Sequence, residues 1–376
     1  MIGSNPIEVK VGRHMFVRIL WKRLADVDCS LVTNGLENAM KFLPLGLVLV
    51  VLTIMTASRE NPDPASGTSM LLIANKGEQT LGLVDPQAEK QVAAVAESGI
   101  TGHEVIASPD GRTAYVPIYG NSGVGKPGTD GSTIDVIDIA SRKVTGKIDF
   151  GRGVRPHCPL IGPKDGMLYV TTELDKTISI IDPKTLKIVG TIPTGQPESH
   201  MLTITADGKR GYTANVGPGT ISVLDMEGRK TLEVIPVSGE IQRIAVSTDG
   251  KLVFTSDQKK PQLAVIDTAT NKVKTWIPLS GFGYGSATTP DGRWLVVAVR
   301  TANKVAVIDL AAMKVAHEIE VPAAPQESLV RPDGQIVYVS CDASHKIAAI
   351  RTSDWTVEKL IDAGPGADGL AWAGGK

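Results

Sequence analysis

Cysteine is scarce: Cys29, Cys158 and Cys341 are the three in 376 residues. That is too few for a disulfide framework. Their spacing matches neither CxxC nor CxxCH, which excludes covalent c-type haem attachment and the usual zinc knuckles. Aromatic side chains make up only 4%, too sparse for a base-stacking platform. Neither sign of charge dominates, since 39 basic residues face 40 acidic ones. There is accordingly no electrostatic footprint for nucleic acid, and none is expected as a partner. No apolar run reaches the about 20 residues of a bilayer-spanning helix. What the chain does have is 42% hydrophobic residues, enough to bury a core, and 39 glycines with 23 prolines, which imply many turns.

The longest apolar run, Phe42–Ala57, follows Lys41 and precedes small residues and a proline-containing polar stretch. It has the length of a signal-peptide hydrophobic region. Residues 40–58 therefore read as a signal peptide, with an uncleaved N-terminal anchor as the alternative, and residues 59–69 as a linker. Residues 1–39, which carry Asp26, Asp28 and Glu37, read as an upstream extension, with translation beginning at Met40. The mature protein is expected in the periplasm or outside the cell, touching a membrane only through this segment.

Residues 70–376 repeat. The turn pair Asp-Gly begins at Asp110, Asp165, Asp207, Asp249, Asp291 and Asp333, the last five standing 42 residues apart. A second mark, an apolar pair closed by Asp, falls at Asp85, Asp138, Asp182, Asp225, Asp267 and Asp309, with Arg351 in the seventh copy. Within a unit, residues 241–247, 252–256, 263–267 and 272–277 are short, rich in Val and Ile, and bounded by turn residues, which predicts four strands. The interval leaves no room for a crossover helix. Four strands per repeat of about 40–45 residues is the signature of a β-propeller. The chain enters at a second strand (70–74) and leaves after a first-type strand (368–373), so the expected fold is all-β. It has seven four-stranded blades, closed by the C-terminal strand pairing with the N-terminal blade.

The segments Gly211-Tyr212-Thr213-Ala214-Asn215, Leu168-Tyr169-Val170-Thr171, Val337-Tyr338-Val339-Ser340 and Thr177-Ile178-Ser179-Ile180-Ile181-Asp182 resemble the YVTN-type repeat of YncE-like propellers. The resemblance spans residues 70–373. Proteins of this kind include exported YncE-like proteins, archaeal surface-layer proteins, bacterial seven-bladed lactonases and the haem-binding propeller of nitrite reductase. It implies the fold strongly and the function hardly at all.

Aligning the first strands puts one polar residue per blade at the same channel-mouth position: His103, His157, His200, Gln242, Tyr284, Gln326 and Asp368. Glu104, Arg155, Cys158, Glu198, Met201, Arg243 and Glu327 stand beside them. The ring reads first as a binding site for a small ligand or a protein partner, on a protein expected to be a monomer. His103, His157 and His200 lie on consecutive blades and could instead converge on Zn or Cu, giving a lactonase-like hydrolase or lyase. Without metal, His157 could act as general base with Arg155 or Arg243 stabilising an oxyanion. A structural surface-layer protein, its polar ring merely holding water, is the third reading.

The insertion 120–131 (GNSGVGKPGTDG) accounts for the one long Asp-Gly interval and joins the second and third strands of its blade. It belongs on the ring face, where it could form a lid. It nearly spells a phosphate loop, yet Pro127 replaces the Ser or Thr that binds Mg²⁺ and no helix follows. The repeated strand-end aspartates read as turn caps, and Trp276, Trp294, Trp355 and Trp372 as core between blades. No GxSxG elbow occurs.

Overall fold

A computed structural model describes residues 69–374. The expectations for residues 1–39, 40–58 and most of 59–69 lie outside the described residues. Among the described residues no helix is long and apolar enough to cross a membrane.

Seven antiparallel four-stranded sheets form the seven blades. In blade 5 the strands are Ile241–Val246, Leu252–Asp257, Gln262–Asp267 and Lys272–Pro278, ordered sequentially. The third strand Gln262–Asp267 is buried at all four central residues, whereas the outermost strand Lys272–Pro278 alternates between open and covered positions. A middle strand has a neighbouring blade on both faces and so reads as a continuous apolar run. An outer strand has water along one side and shows period two.

The turns follow from two aspartates per repeat. In the Asp249-Gly250 hairpin, the Asp249 carboxylate accepts bonds from Ser247 Oγ at 2.7 Å and the Lys251 amide at 3.1 Å. Gly250 takes φ +71°, a left-handed conformation that a Cβ would strain. At the other turn, Asp267 accepts the amides of Ala269 and Thr270, both at 3.0 Å. Asp182, Asp225 and Asp309 do the same in their blades. The strand-end aspartates are caps.

Blade 1 consists of Ala367–Ala373 paired antiparallel with Met70–Asn75, then Thr80–Asp85 and Lys90–Ala96. Met70 faces Ala373, Leu71 faces Trp372 and Ile73 faces Leu370, with Leu71, Leu72 and Ile73 fully buried. Both ends of the described chain thus share one sheet, and the ring has no unpaired inner edge there. A chain ending at Gly366 would bare the 70–75 edge and its apolar neighbours, and such edges recruit other chains. The expected result is recovery chiefly as soluble aggregate on size exclusion; a monodisperse monomer of normal denaturation midpoint would refute the closure argument.

The blades pack through apolar faces. Trp294 and Trp355 meet edge to face at 5.6 Å between centroids, Trp372 stacks on Tyr338 at 6.1 Å, and Trp276 packs against the core of blades 4 and 5. Cys158 and Cys341 are free and buried.

Candidate functional site

Each ring residue occupies the mouth for a local reason. His157, His200, Gln242, Tyr284, Gln326 and Asp368 are each the second residue of their first strand, and His103 leads into the short strand Ile106–Ala107. In blades 3 to 7 the pairing of first with second strand slips beside that residue, as between Gln242 and Ala245 or between Ser199 and Met201. Such bulges increase the twist and re-aim a side chain. All seven ring residues line one cavity of about 310 Å³, together with Lys76, Tyr119, Arg243, Arg300 and the insertion residues Ser122, Gly123, Val124 and Lys126.

The histidines gather around Tyr119, whose ring centroid lies 5.0 Å from His103, 5.1 Å from His157 and 5.6 Å from His200. His157 and His200 lie nearly face to face, 3.6 Å apart with 30° between planes. Burial lowers the pKa of all three, that of His103 to about 4. They are therefore neutral imidazoles near pH 7, with a lone pair on each ring. The Nδ1 atoms of His157 and His200 are buried and have no hydrogen-bond partner.

This arrangement speaks against the alternative reading of a zinc or copper site. Among the described residues no group of three His, Cys, Asp or Glu is disposed to hold a metal ion. The physical reason is that the rings pack on one another, His157 on His200 and His103 edge-on to His157 at 5.5 Å, with Tyr119 against all three. Cys158 is no thiolate: burial pushes its pKa up to about 12, and its Sγ lies 3.5 Å from the Leu202 carbonyl.

A buried charge cluster adjoins the imidazoles. Arg243 takes φ +59° beside the bulge and is buried. Its Nη1 donates to Glu104 Oε1 and, at 2.6 Å, to Glu327 Oε2; its Nη2 donates to Asp368 Oδ1 at 2.9 Å. Tyr284 presents its ring 5.1 Å from the guanidinium carbon. Gly285 and Gly369 stand one residue past the ring position, where a Cβ would come within 2.4 Å of the Gln326 carbonyl oxygen or 2.6 Å of that of His103. Three carboxylates around one guanidinium leave excess negative charge. Burial, against the pull of Arg243, raises the Glu104 pKa to about 8.

Arg155 lies under the insertion. It pairs with Asp130 at 2.7 Å and Glu173 at 3.1 Å, and Nη2 donates to the Lys126 carbonyl at 2.7 Å. Both arginines considered as oxyanion stabilisers are thus engaged by carboxylates. Glu104 and Glu327 are held on Arg243 and do not line the cavity, and Glu198 turns aside to accept the Gly217 amide at 2.8 Å.

The sequence reading missed Lys76, Tyr119, Glu173, Arg300 and Asp342. Lys76, Glu173, Val216, Gln258, Arg300 and Asp342 each directly follow a second strand, and the last four stand 42 residues apart, so the same alignment made at strand ends would have found this second ring. Asp342 ties it to the first, accepting from Gln326 Nε2 at 3.0 Å and pairing with Lys76 at 3.3 Å and Arg300 at 3.5 Å.

No curated protein matches the chain. Among solved structures, hydrazine synthase of Kuenenia stuttgartiensis superposes with a TM-score of 0.66 at 21% identity, over 77% of this chain and 94% of that one. The dihydro-heme d1 dehydrogenase NirN, solved in complex with DHE, gives 0.58 at 13% identity, over 83% and 76%. At such identities these likenesses speak for the fold. The propeller that the YVTN-like segments imply is present, while the family that is shown is a different one. The model of the Cytochrome D1 heme domain matches residues 161–370, more than half of the sequence and most of blades 3 to 7 with the closing strand, and the chain accordingly belongs to the Cytochrome D1 heme domain family.

Proposed function

We propose that this protein is an exported propeller that binds a haem-type tetrapyrrole non-covalently at the channel mouth. The observation that carries the reading is that three neutral imidazoles line one cavity together with Lys76, Lys126 and Arg300. Neutral imidazole is the commonest protein ligand for haem iron, and cations suit the carboxylates that haems carry. The absence of CxxCH agrees with non-covalent attachment. When bound, such a group supplies an iron centre for redox or small-ligand chemistry. The donor set fits. A cavity of about 310 Å³ is at the small end of the ~300–1,000 Å³ typical of ligand sites, so the insertion, which roofs it, has to lift for a tetrapyrrole to enter.

The test is titration of the chain, isolated from an exporting host, with haemin and with haem d1. A saturable one-to-one spectral change is expected, weakened at least about tenfold in a H103A/H157A/H200A variant with unchanged circular dichroism. Intact mass of the same preparation reads whether cleavage occurs near residue 58. Absence of a saturable change, or an unweakened variant, would refute the haem reading. The closed volume would then favour the second one, a small polar ligand held by Lys76, Arg300 and the imidazoles.

A further inference from the structure

We infer that Glu173 is a positioning residue for His200, turning that imidazole's Nε2 toward the cavity, and that the insertion loop competes for the same carboxylate. The inference rests on the reading of the mouth as a ligand site. His157 and His200 are the two buried imidazoles with unpartnered Nδ1 atoms, and they differ in what lies behind them. His200 Nδ1 faces Glu173 Oε2 at 3.7 Å, within ion-pair reach but longer than a hydrogen bond.

The carboxylate has other donors to satisfy. Its Oε1 accepts the Gly125 amide and Arg155 Nη1, each at 3.1 Å, and its Oε2 accepts the Tyr119 hydroxyl at 2.5 Å. Three donors converge on this buried carboxylate, one of them the Arg155 guanidinium, which is the arrangement that holds a carboxylate ionised. Glu173 is thus a fixed anion, and an anion beside Nδ1 selects the tautomer with its proton there. The lone pair then sits on Nε2. A carboxylate behind a ligating imidazole is the usual device for fixing tautomer and raising basicity.

The loop enters because both hydrogen bonds from residues 121–129 to blade 3 end on this pair of side chains: Gly125 N–H on Glu173, and Arg155 on the Lys126 carbonyl. Lifting the loop removes the Gly125 donor from Glu173 and loosens Arg155. The carboxylate can then close the 3.7 Å gap to Nδ1. Admission of a ligand and preparation of the imidazole that meets it are one event.

The experiment is nitrogen NMR on the full chain with ¹⁵N-labelled histidine and no ligand added, comparing wild type, Glu173→Gln and Tyr119→Phe. His200 should carry its proton on Nδ1 in the wild type. Glu173→Gln should move the tautomer balance toward Nε2–H by at least about threefold, leaving His317 and His345 unchanged. Tyr119→Phe, which frees Oε2, should shift it further toward Nδ1–H and serves as the test where the Gln variant does not fold. Haemin affinity, measured separately, should fall in Glu173→Gln and recover in part in Glu173→Asp. A wild-type His200 protonated on Nε2, or one indifferent to both substitutions, would overturn the proposal whether or not haemin binds. Normal tautomers with no haemin binding would instead count against the haem reading alone.

Discussion

Arg243→Met should be the most damaging single substitution in the channel, costing on the order of 3–5 kcal/mol, the usual effect of removing one partner of a buried ion pair. Methionine keeps the length and apolar bulk of the side chain, so lost charge dominates the change. The guanidinium holds Glu104, Glu327 and Asp368, all of them largely buried. Without it, Lys76, 3.1 Å from Asp368, is the nearest cation left. Burial already raises the pKa of Glu104 and Glu327, and that of Asp368, held down against burial by Lys76 and Arg243, would have to rise as well. Two signatures follow in urea denaturation. The midpoint falls with an unchanged slope, and the loss is smaller at pH 5 than at pH 8, because protonation relieves the uncompensated charge. Adding Glu104→Gln and Glu327→Gln to Arg243→Met should restore more than half of the loss. A cost under about 1 kcal/mol at pH 8 would show that water reaches the cluster and screens it.

Acid should destabilise the protein well above the pH at which its exposed carboxylates titrate. The His103 pKa is lowered from 6.5 to about 4 in the fold, chiefly by burial. Between those values the unfolded chain binds the proton and the folded one resists it. The contribution is therefore complete above pH 6.5 and is lost as the pH falls toward 4. For His103 the loss has an upper figure of about 3 kcal/mol, at about 1.4 kcal/mol per pKa unit; part of its surface stays open to the cavity, which reduces it. His157 and His200 are shifted in the same direction. Glu104 works in the opposite sense. With its pKa raised from 4.5 to about 8, its proton stabilises the fold fully below pH 4.5, and that contribution fades as the pH rises to 8. Chemical denaturation between pH 4 and 8.5 separates the two. The wild type should lose stability from pH 6.5 downward. Relative to it, Glu104→Gln should gain steadily from pH 4.5 to 8. A profile flat from pH 7 to 5 in the Glu104→Gln variant, where the opposing carboxyl is gone, would mean that the imidazoles are solvated and not held neutral.

Much of the mouth could be read before any coordinates, because a propeller turns periodicity into position. Residues 42 apart occupy equivalent places, so aligning Gln242 with His200 and Tyr284 also placed them around one axis, and all seven aligned residues do line one cavity. The Asp-Gly turns, the strand-end caps and the closing strand were accessible for the same reason: each is a local chemical requirement repeated by the chain. Tyr119 was not, since it lies near the end of a second strand lengthened by the insertion, out of register with the other blades. Glu173 and Lys76 were overlooked because they follow strands and looked like loop residues.

The chain's own pattern determined the all-β propeller, its seven blades, its closure and the polar character of its mouth, since each follows from turn chemistry and a repeat length that every copy must satisfy. Only the tertiary structure decided what those polar groups do to one another. Whether three histidines converge on an ion or stack around a phenol depends on a few ångströms of bulge and on which side chain fills the gap. Whether an arginine is free to meet a ligand depends on the carboxylates that neighbouring blades bring to it. Such distances lie between blades, where residues far apart in sequence meet, and a repeat specifies each blade without specifying the company its side chains keep.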